Sequence, residues 1–515
     1  MERTKQLSQE IRDQARHTVL TVRDVFYIVP PKKYDFYNGG LETKDVTPAA
    51  QYYEPFMDGS LPAGHIGVDL EHIYEHVVPA EAIGLSEHER TKIERGLVSL
   101  VSIAQRLLQD PDVHVLLERE IADEDKDRLE FDRYDPTQEY LTPASIMRAD
   151  LLVTEHQSVL CCDPNLVPLG YAICAFLADE VAQETGLAVG RRKDYDDGII
   201  AMIQENENKI SGIVTGLNYP NWQSHLGQAA ELREQYGVSF YVIPTDCLTE
   251  DGTIDVEKLN AFNTAFDIPP YTDENAVPGV LIRYARETQT FHPDTAVVNA
   301  PGVRMIETQL WKGLIMLPGF DAICEKNNID SQELCDARSS IVPTLVMKIT
   351  EGSLLVATGM YEAEDGYALQ WEEVSTDATD TEAQERFSNI LVGVHNTNYA
   401  NNPSEKPKEL AWYVKSLSTS GKKGVKLTAD GRIEKTAANI MKIAQDYNYN
   451  HGGVFLVQPK LRSMIAPDNE EIRTKIDLFI SLNTGQTVLI DFMATPRNQR
   501  SAHGGSSTKT GLVEW

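Results

Sequence analysis

The chain has 515 residues, 42% of them hydrophobic and 24% charged, with a formal net charge of −31. That length exceeds a single hydrophobic core, so roughly two to four domains or subdomains are expected. The acidic balance excludes a nucleic-acid or anionic-membrane partner, which needs a cationic face, yet leaves room for a nucleotide held by a few local cations.

The N-terminal "MERTKQLSQEIRDQARHTVLTV" is charged and lacks the apolar stretch of a signal peptide, and no run of about 18 apolar residues suggests a membrane span. Six cysteines without a CxxC pair fit a reducing, cytoplasmic compartment. Residues 1–140 read as a mostly helical region. In "SEHERTKIERGLVSLVSIAQRLLQD", Ser86 can cap, Glu89 follows three residues on, and apolar residues then recur at helical spacing. His72 and His76 stand at i, i+4, a spacing that can hold zinc, but HExxH is absent, so a structural or surface role is expected.

Residues 141–300 alternate strand and helix. "KISGIVTGL", "VSFYVIP" and "GVLIRY" read as strands, while "GYAICAFLADEVAQETG" and "SHLGQAAELREQYG" read as helices, the latter closed by Gly237. This pattern predicts an α/β layer with parallel pairing. The charged run "RRKDYDD", from Arg191, reads as a solvated loop. Arg283 and Arg286 in "LIRYARE" are candidates for an anionic substrate or phosphate, with an ion pair to a neighbouring carboxylate as the alternative.

Residues 301–515 open with a predicted helix, "IETQLWKGLIML", after which strands dominate: "PTLVMKI", "LAWYVKSL", "GVFLVQPKL", "KIDLFISL" and "QTVLIDFMA". A helix, "EKTAANIMKIAQDY", interrupts them.

Three stretches could carry chemistry. In "WYVKSLSTSGKKGVKL", Lys415 ends a strand and precedes a small-residue turn with Ser420, Gly421 and Gly424. Glycines let backbone N–H groups approach phosphates and lysines supply charge; a basic hairpin turn is the plainer reading. In "HGGVFLVQPKLRS", a buried strand runs into Gln458 and Pro459, a hinge that could read an adenine edge. In "IMRADLLVTEHQSVLCCDPNLVPLG", Arg148 and Asp150 precede Asp163 and Asn165 in the order R-x-D, twelve residues, D-x-N. A hairpin would bring Asp150, Asp163 and Asn165 together as hard oxygen ligands suited to Mg²⁺, with Arg148 on the same strand face. Ordinary turn chemistry is the alternative.

The R-x-D-x12-[E/D]-x-N arrangement resembles the metal-binding signature of the ATP-grasp superfamily. Here it precedes the Lys415 strand and the Gln458 hinge instead of following them, an order similar to the circularly permuted ATP-grasp proteins, which include glutathionylspermidine-synthetase-like enzymes. The closing "RSAHGGSSTKTGLVEW" is similar to that family's GG-S loop, and the likeness covers most of residues 65–515. Two positions depart from the pattern: Asp163 stands where Glu is usual, and Gln309 stands where a phosphate-binding Lys is usual, with Lys312 one turn away.

The resemblance implies an α/β (α+β) chain. Its metal-binding strands and a preATP-grasp-like subdomain would occupy 141–300, and its ATP-binding half 301–515. It implies an ATP-dependent carboxylate–amine ligase using ATP and Mg²⁺. Asp150, Asp163 and Asn165 would hold metal, and Arg148 and Arg283 would act in catalysis. Lys415, Ser420, Gly421, Gly424, Gln458 and Lys312 would hold nucleotide. Its partners would be a small carboxylate and an amine, with a homodimer as the candidate assembly. A relative impaired in catalysis that binds nucleotide or a partner protein is the alternative.

Overall fold

Apolar spacing settles the first long helix of the computed structural model, and the elements follow in chain order. The structure describes residues 33–35, 77–79, 82–84, 87–153, 159–167, 171, 192–207, 209–216, 224–265, 268–273, 275–284, 289–377, 380, 382, 385–387, 389–390, 412–417, 425–427, 436–446, 453–459, 465–466, 469–496 and 509–514. Strands β1 (Lys33–Asp35), β2 (Val77–Pro79) and β3 (Ala82–Gly84) precede helix α1 (Glu87–Leu107). Helix α1 buries Ile93, Leu97, Leu100, Val101, Ala104 and Leu107 as one stripe, with Glu87 and Glu89 at its positive end. Helix α2 (Pro111–Glu120) starts at Asp110, whose carboxylate accepts from Asp112 N, and has proline in its first turn. Helix α3 (Asp123–Leu129) completes this region.

The hairpin β4 (Ile146–Val153) and β5 (Val159–Asn165) comes next, then α4 (Arg192–Glu205). An alternating stretch follows: β6 (Ser211–Thr215), α5 (Ser224–Tyr236), β7 (Phe240–Pro244), α6 (Val256–Ala265), β8 (Val280–Arg283) and β9 (Ala296–Val298). Gly237 ends α5 at φ +66°, its N–H donating to Arg233 O at 2.9 Å, a helix stop that a side chain would strain. Four short helices succeed: α7 (Arg304–Glu307), α8 (Leu310–Leu314), α9 (Phe320–Lys326) and α10 (Ser331–Ser340). The remainder comprises β10 (Leu345–Thr350), β11 (Ser353–Ala363), β12 (Gly366–Val374), β13 (Trp412–Lys415), β14 (Val425–Leu427), α11 (Thr436–Asp446), β15 (Val454–Pro459), β16 (Ile465–Ala466), β17 (Asn469–Ser481), β18 (Thr487–Pro496) and β19 (Lys509–Glu514).

The chain is a mixed α/β protein whose described strands form three sheets. The largest runs β1-β2-β19-β18-β17-β4-β5, with β3 on β19 and β16 on β17. The second is antiparallel, β12-β11-β10-β15-β13-β14. The third, β7-β6-β8-β9, is parallel throughout, as the strand–helix alternation predicts. No helix among the described residues is long and apolar enough to cross a membrane.

Strands β1, β2 and β3 of the N-terminal region join the largest sheet, and β4 and β5 pair into that same sheet beside β17, β18 and β19. Two expectations need correction. The charged run expected as a loop lies in α4, where Tyr195, Ile199 and Ile203 are buried behind the charges. The helix expected over "IETQLWKGLIML" is two short helices, parted where Thr308 turns extended at ψ 133°. Apart from Tyr171, the expected helix over 170–186 lies outside the described residues, as does the His72/His76 pair.

Candidate active site

Strand alternation and one bulge build the site. Hairpin β4–β5 pairs Arg148 with Asn165 and Asp150 with Asp163, so these four residues share one face. The register then slips: Leu151 pairs with Cys161, leaving Cys162 as the extra residue of a bulge. The Cys162 thiol donates to Asp150 O at 3.1 Å. Its carbonyl accepts from the ammoniums of both Lys312 and Lys415, the latter at 3.3 Å.

Those two lysines arrive from elsewhere. On β13, Trp412 and Val414 pack into a core with Ala437, Ile440 and Ala444 of α11, which turns Lys415 to the other side, toward β5. Lys312 rides on α8, which lies close on β10; a Cβ at Gly313 would meet Val346 Cγ2 at 2.4 Å, so glycine is what permits the approach. Lys312 is fully buried, and burial with the Lys415 charge beside it pushes its ammonium down to about 8. The break at Thr308 leaves Gln309 beside Lys312; Gln309 Oε1 accepts from Lys312 at 2.7 Å and its Nε2 donates to Asp163 Oδ1. The Gln309 amide thus links the Lys312 ammonium to the Asp163 carboxylate.

The carboxylates stand in a line. Asp150 is 7% exposed, and the Arg148 guanidinium reaches its Oδ1 at 3.3 Å. Burial raises the Asp163 carboxyl above the usual range and Asp150 adds to the rise, while Lys312, Lys415 and Arg148 oppose it. The next strand adds an acid that sequence reasoning missed: Asp477 of β17 is paired with Asp150 and is 1% exposed. Three carboxylates thus sit side by side across β5, β4 and β17. Directly opposite side chains lie about 5 Å apart, where two like charges repel by roughly 3 kcal/mol at an effective dielectric constant of about 20. One local signal marks Asp477: it is an acid inside the apolar strand "KIDLFISL".

Among the described residues, no three carboxylate, imidazole or thiol groups converge closely enough to enclose a metal by themselves. Two paired aspartates and the Asn165 amide, whose Nδ2 is buried without a hydrogen-bond partner among the described residues, form instead a short row that offers hard oxygen donors. That set fits Mg²⁺, which is commonly bound through one or two carboxylates and completed by phosphate oxygens and water.

The other expected residues fall elsewhere. Gln458 lies on β15 beside the Lys415 strand, paired with Tyr413, but its side chain is 2% exposed and Nε2 donates to Thr344 Oγ1 at 2.7 Å. Ser420, Gly421 and Gly424 lie outside the described residues.

Arg283 is not part of this site. It is 1% exposed at the end of β8, and its Nη1 and Nη2 donate to Glu130 Oε1 and Oε2 at 2.6 and 2.8 Å. Its Nε donates to Asn299 O at 2.7 Å. Burial alone would raise the Glu130 carboxyl, but the Arg283 hydrogen bond and charge outweigh it and hold the group below its usual value. The guanidinium locks the parallel sheet to the turn after α3.

No protein-family profile matches the chain, and no curated protein is similar to it. Among solved structures the chain is similar to one described as "Putative gamma-glutamylcysteine synthetase" from Methylobacillus flagellatus KT, with a TM-score of 0.37 and 10% identity, over 79% of this chain and 86% of that one.

Proposed function

We propose that the protein is an ATP-dependent carboxylate–amine ligase built on a permuted ATP-grasp arrangement, acting on an amino acid, short peptide or related small carboxylate. The observation that carries this reading is the meeting of Lys415 with the Cys162 carbonyl, next to Asp163, although the two residues are 253 positions apart and belong to different sheets. A triphosphate needs cations on one side and a metal-binding acid row on the other, and this junction supplies both.

A substrate carboxylate oxygen attacks the γ-phosphorus of ATP, and the bond from that phosphorus to the bridging oxygen of ADP breaks. The amine nitrogen then attacks the acyl carbon of the acyl phosphate; the C–N bond forms, the C–O bond to phosphate breaks, and the nitrogen loses its proton to the departing phosphate. Lys415 and Lys312 hold phosphate oxygens as charge shifts toward ADP. Arg148, beside Asp150, stabilises the transferring phosphoryl group and then the oxyanion at the acyl carbon. Asp150, Asp163 and Asn165 would hold Mg²⁺, which when bound neutralises triphosphate charge.

A phosphate-release screen over acid and amine pairs with Mg-ATP tests the proposal. ADP formation that requires both a carboxylate and Mg²⁺ is expected. If no pair releases ADP, the second reading stands: a nucleotide- or partner-binding relative, favoured by the Gln309 amide already resting on Asp163.

A further inference from the structure

The parallel sheet holds a second polar centre that the ligase reading leaves unused. Chain order and strand order disagree at one place: β6 leads through α5 to β7 on one side, and the chain then returns past β6 to β8 on the other. The carboxyl ends of β6 and β8 therefore flank a topological switch point, where α/β sheets of this order open a crevice for ligands. Three features converge there. Helix α5 follows β6 and begins at this end of the sheet, so its first-turn N–H groups lack intrahelical acceptors and favour an anion. His225, in that first turn, stacks on Tyr284, the residue immediately after β8, with centroids 4.8 Å apart and planes 4° from parallel. One turn along lies Gln228.

His225 is 2% exposed and Gln228 5% exposed. His225 Nδ1, Gln228 Oε1 and Gln228 Nε2 are all buried, and none makes a hydrogen bond of good geometry among the described residues. A buried polar group left unpaired costs about 1–3 kcal/mol, so a purely structural role would favour apolar residues at both positions. Burial pushes the imidazole down to about 4, with the polar approach of the Gln228 side chain working the other way, so it is neutral near pH 7 and carries one N–H donor. An aromatic line leads from this point toward the acid row. Tyr284 Oη lies 3.5 Å from Tyr195 Oη, Tyr195 packs edge-on against Tyr171 at 4.8 Å, and Tyr171 packs against Phe479 at 5.4 Å. Phe479 is paired with Arg148 and shares the face of Asp477.

We propose that the switch point is a binding subsite for a small carboxylate-bearing molecule, its carboxylate seated at the amino end of α5 and accepting hydrogen bonds from His225 and Gln228. The subsite stands on the topology and the buried polar atoms, independently of the ligase reading.

The test measures thermal stability and calorimetric binding of the full chain with each of the twenty proteinogenic amino acids, and with the primary amides of those that bind. His225→Phe keeps the ring stack and Gln228→Met keeps the volume. For the wild type, at least one acid raises the melting temperature and its amide does not. Each variant melts no lower than the wild type without ligand, binds that acid at least about tenfold more weakly, and binds a non-hydrolysable ATP analogue as the wild type does. The proposal is overturned if no acid stabilises the wild type, if the amide binds as well as the acid, or if both variants keep wild-type affinity. Loss of ATP-analogue binding in the wild type would instead strike the ligase reading and leave this subsite standing.

Discussion

Two arginines that sequence alone offers as equal candidates sit in opposite kinds of surroundings. Arg283 faces one carboxylate, Glu130, through two hydrogen bonds, and also donates to the backbone carbonyls of Asn299 and Ala300. Charge is matched one to one, inside the protein. Arg148 stands where like charges are pressed together: Asp163, Asp150 and Asp477 in one row, and Lys312 and Lys415 on one carbonyl. A fold gains nothing by gathering carboxylates beside carboxylates and ammoniums beside ammoniums, unless a ligand carrying both signs, such as a metal triphosphate, is to lie between them. The distinction separates a buried ion pair from a site better than burial does, because both arginines are largely covered.

Breaking the matched pair should give the largest effect. Arg283→Met leaves Glu130 buried beside an apolar side chain and should lower unfolding free energy by about 3–5 kcal/mol, read by urea denaturation. The same pair sets an acid dependence. Because the folded-state value of Glu130 is depressed, its contribution is fully present above the ordinary glutamate range. It is lost as pH falls through the depressed value, so the Arg283→Met penalty should shrink in acid. A penalty that grows in acid would reverse this assignment.

Asp150→Asn acts on the other side of the comparison. It removes the centre of the acid row and should cut Mg²⁺-dependent ADP formation by about 100- to 1,000-fold, several kcal/mol of charge stabilisation. Its denaturation midpoint should change little, since two like-charge contacts and the ion pair to Arg148 disappear together. Lys415→Ala should weaken binding of a non-hydrolysable ATP analogue by about 1.5–3 kcal/mol, measured by titration calorimetry; an unchanged affinity would move the phosphate site off β13. The smallest change is Asp163→Glu. Gln309 already rests on Asp163, so a longer acid crowds the site and should slow turnover by about tenfold, near 1.4 kcal/mol. A faster Glu variant would mark the wild-type site as impaired.

What the sequence made legible is local or short-range. The i, i+3 stripe of α1, the Gly237 helix stop and the strand–helix alternation of the parallel sheet all follow from nearest neighbours. So does the β4–β5 hairpin, whose strands are close in sequence and bring Asp150 opposite Asp163. The charged start of α4 was misread because its apolar partners, Ile199 and Ile203, lie beyond the charged window. The Gln309 turn was hidden because a helical pattern does not reveal a single extended residue at Thr308. Two facts were out of reach: that β17 lies beside β4, placing Asp477 next to Asp150, and that Glu130 answers Arg283. Both are pairings across long stretches of chain, set by the packing of whole elements, and no local period encodes them.

The central claim is that β4–β5 and β13 grip one metal triphosphate. A double-mutant cycle tests it directly, by measuring the affinity of a non-hydrolysable ATP analogue with Mg²⁺ for the wild type, Asp150→Asn, Lys415→Ala and the double variant. One shared ligand predicts that the two losses fail to add, with an interaction energy beyond about 0.5 kcal/mol. Losses that add within that margin, or an analogue that does not bind the wild type, would contradict the account.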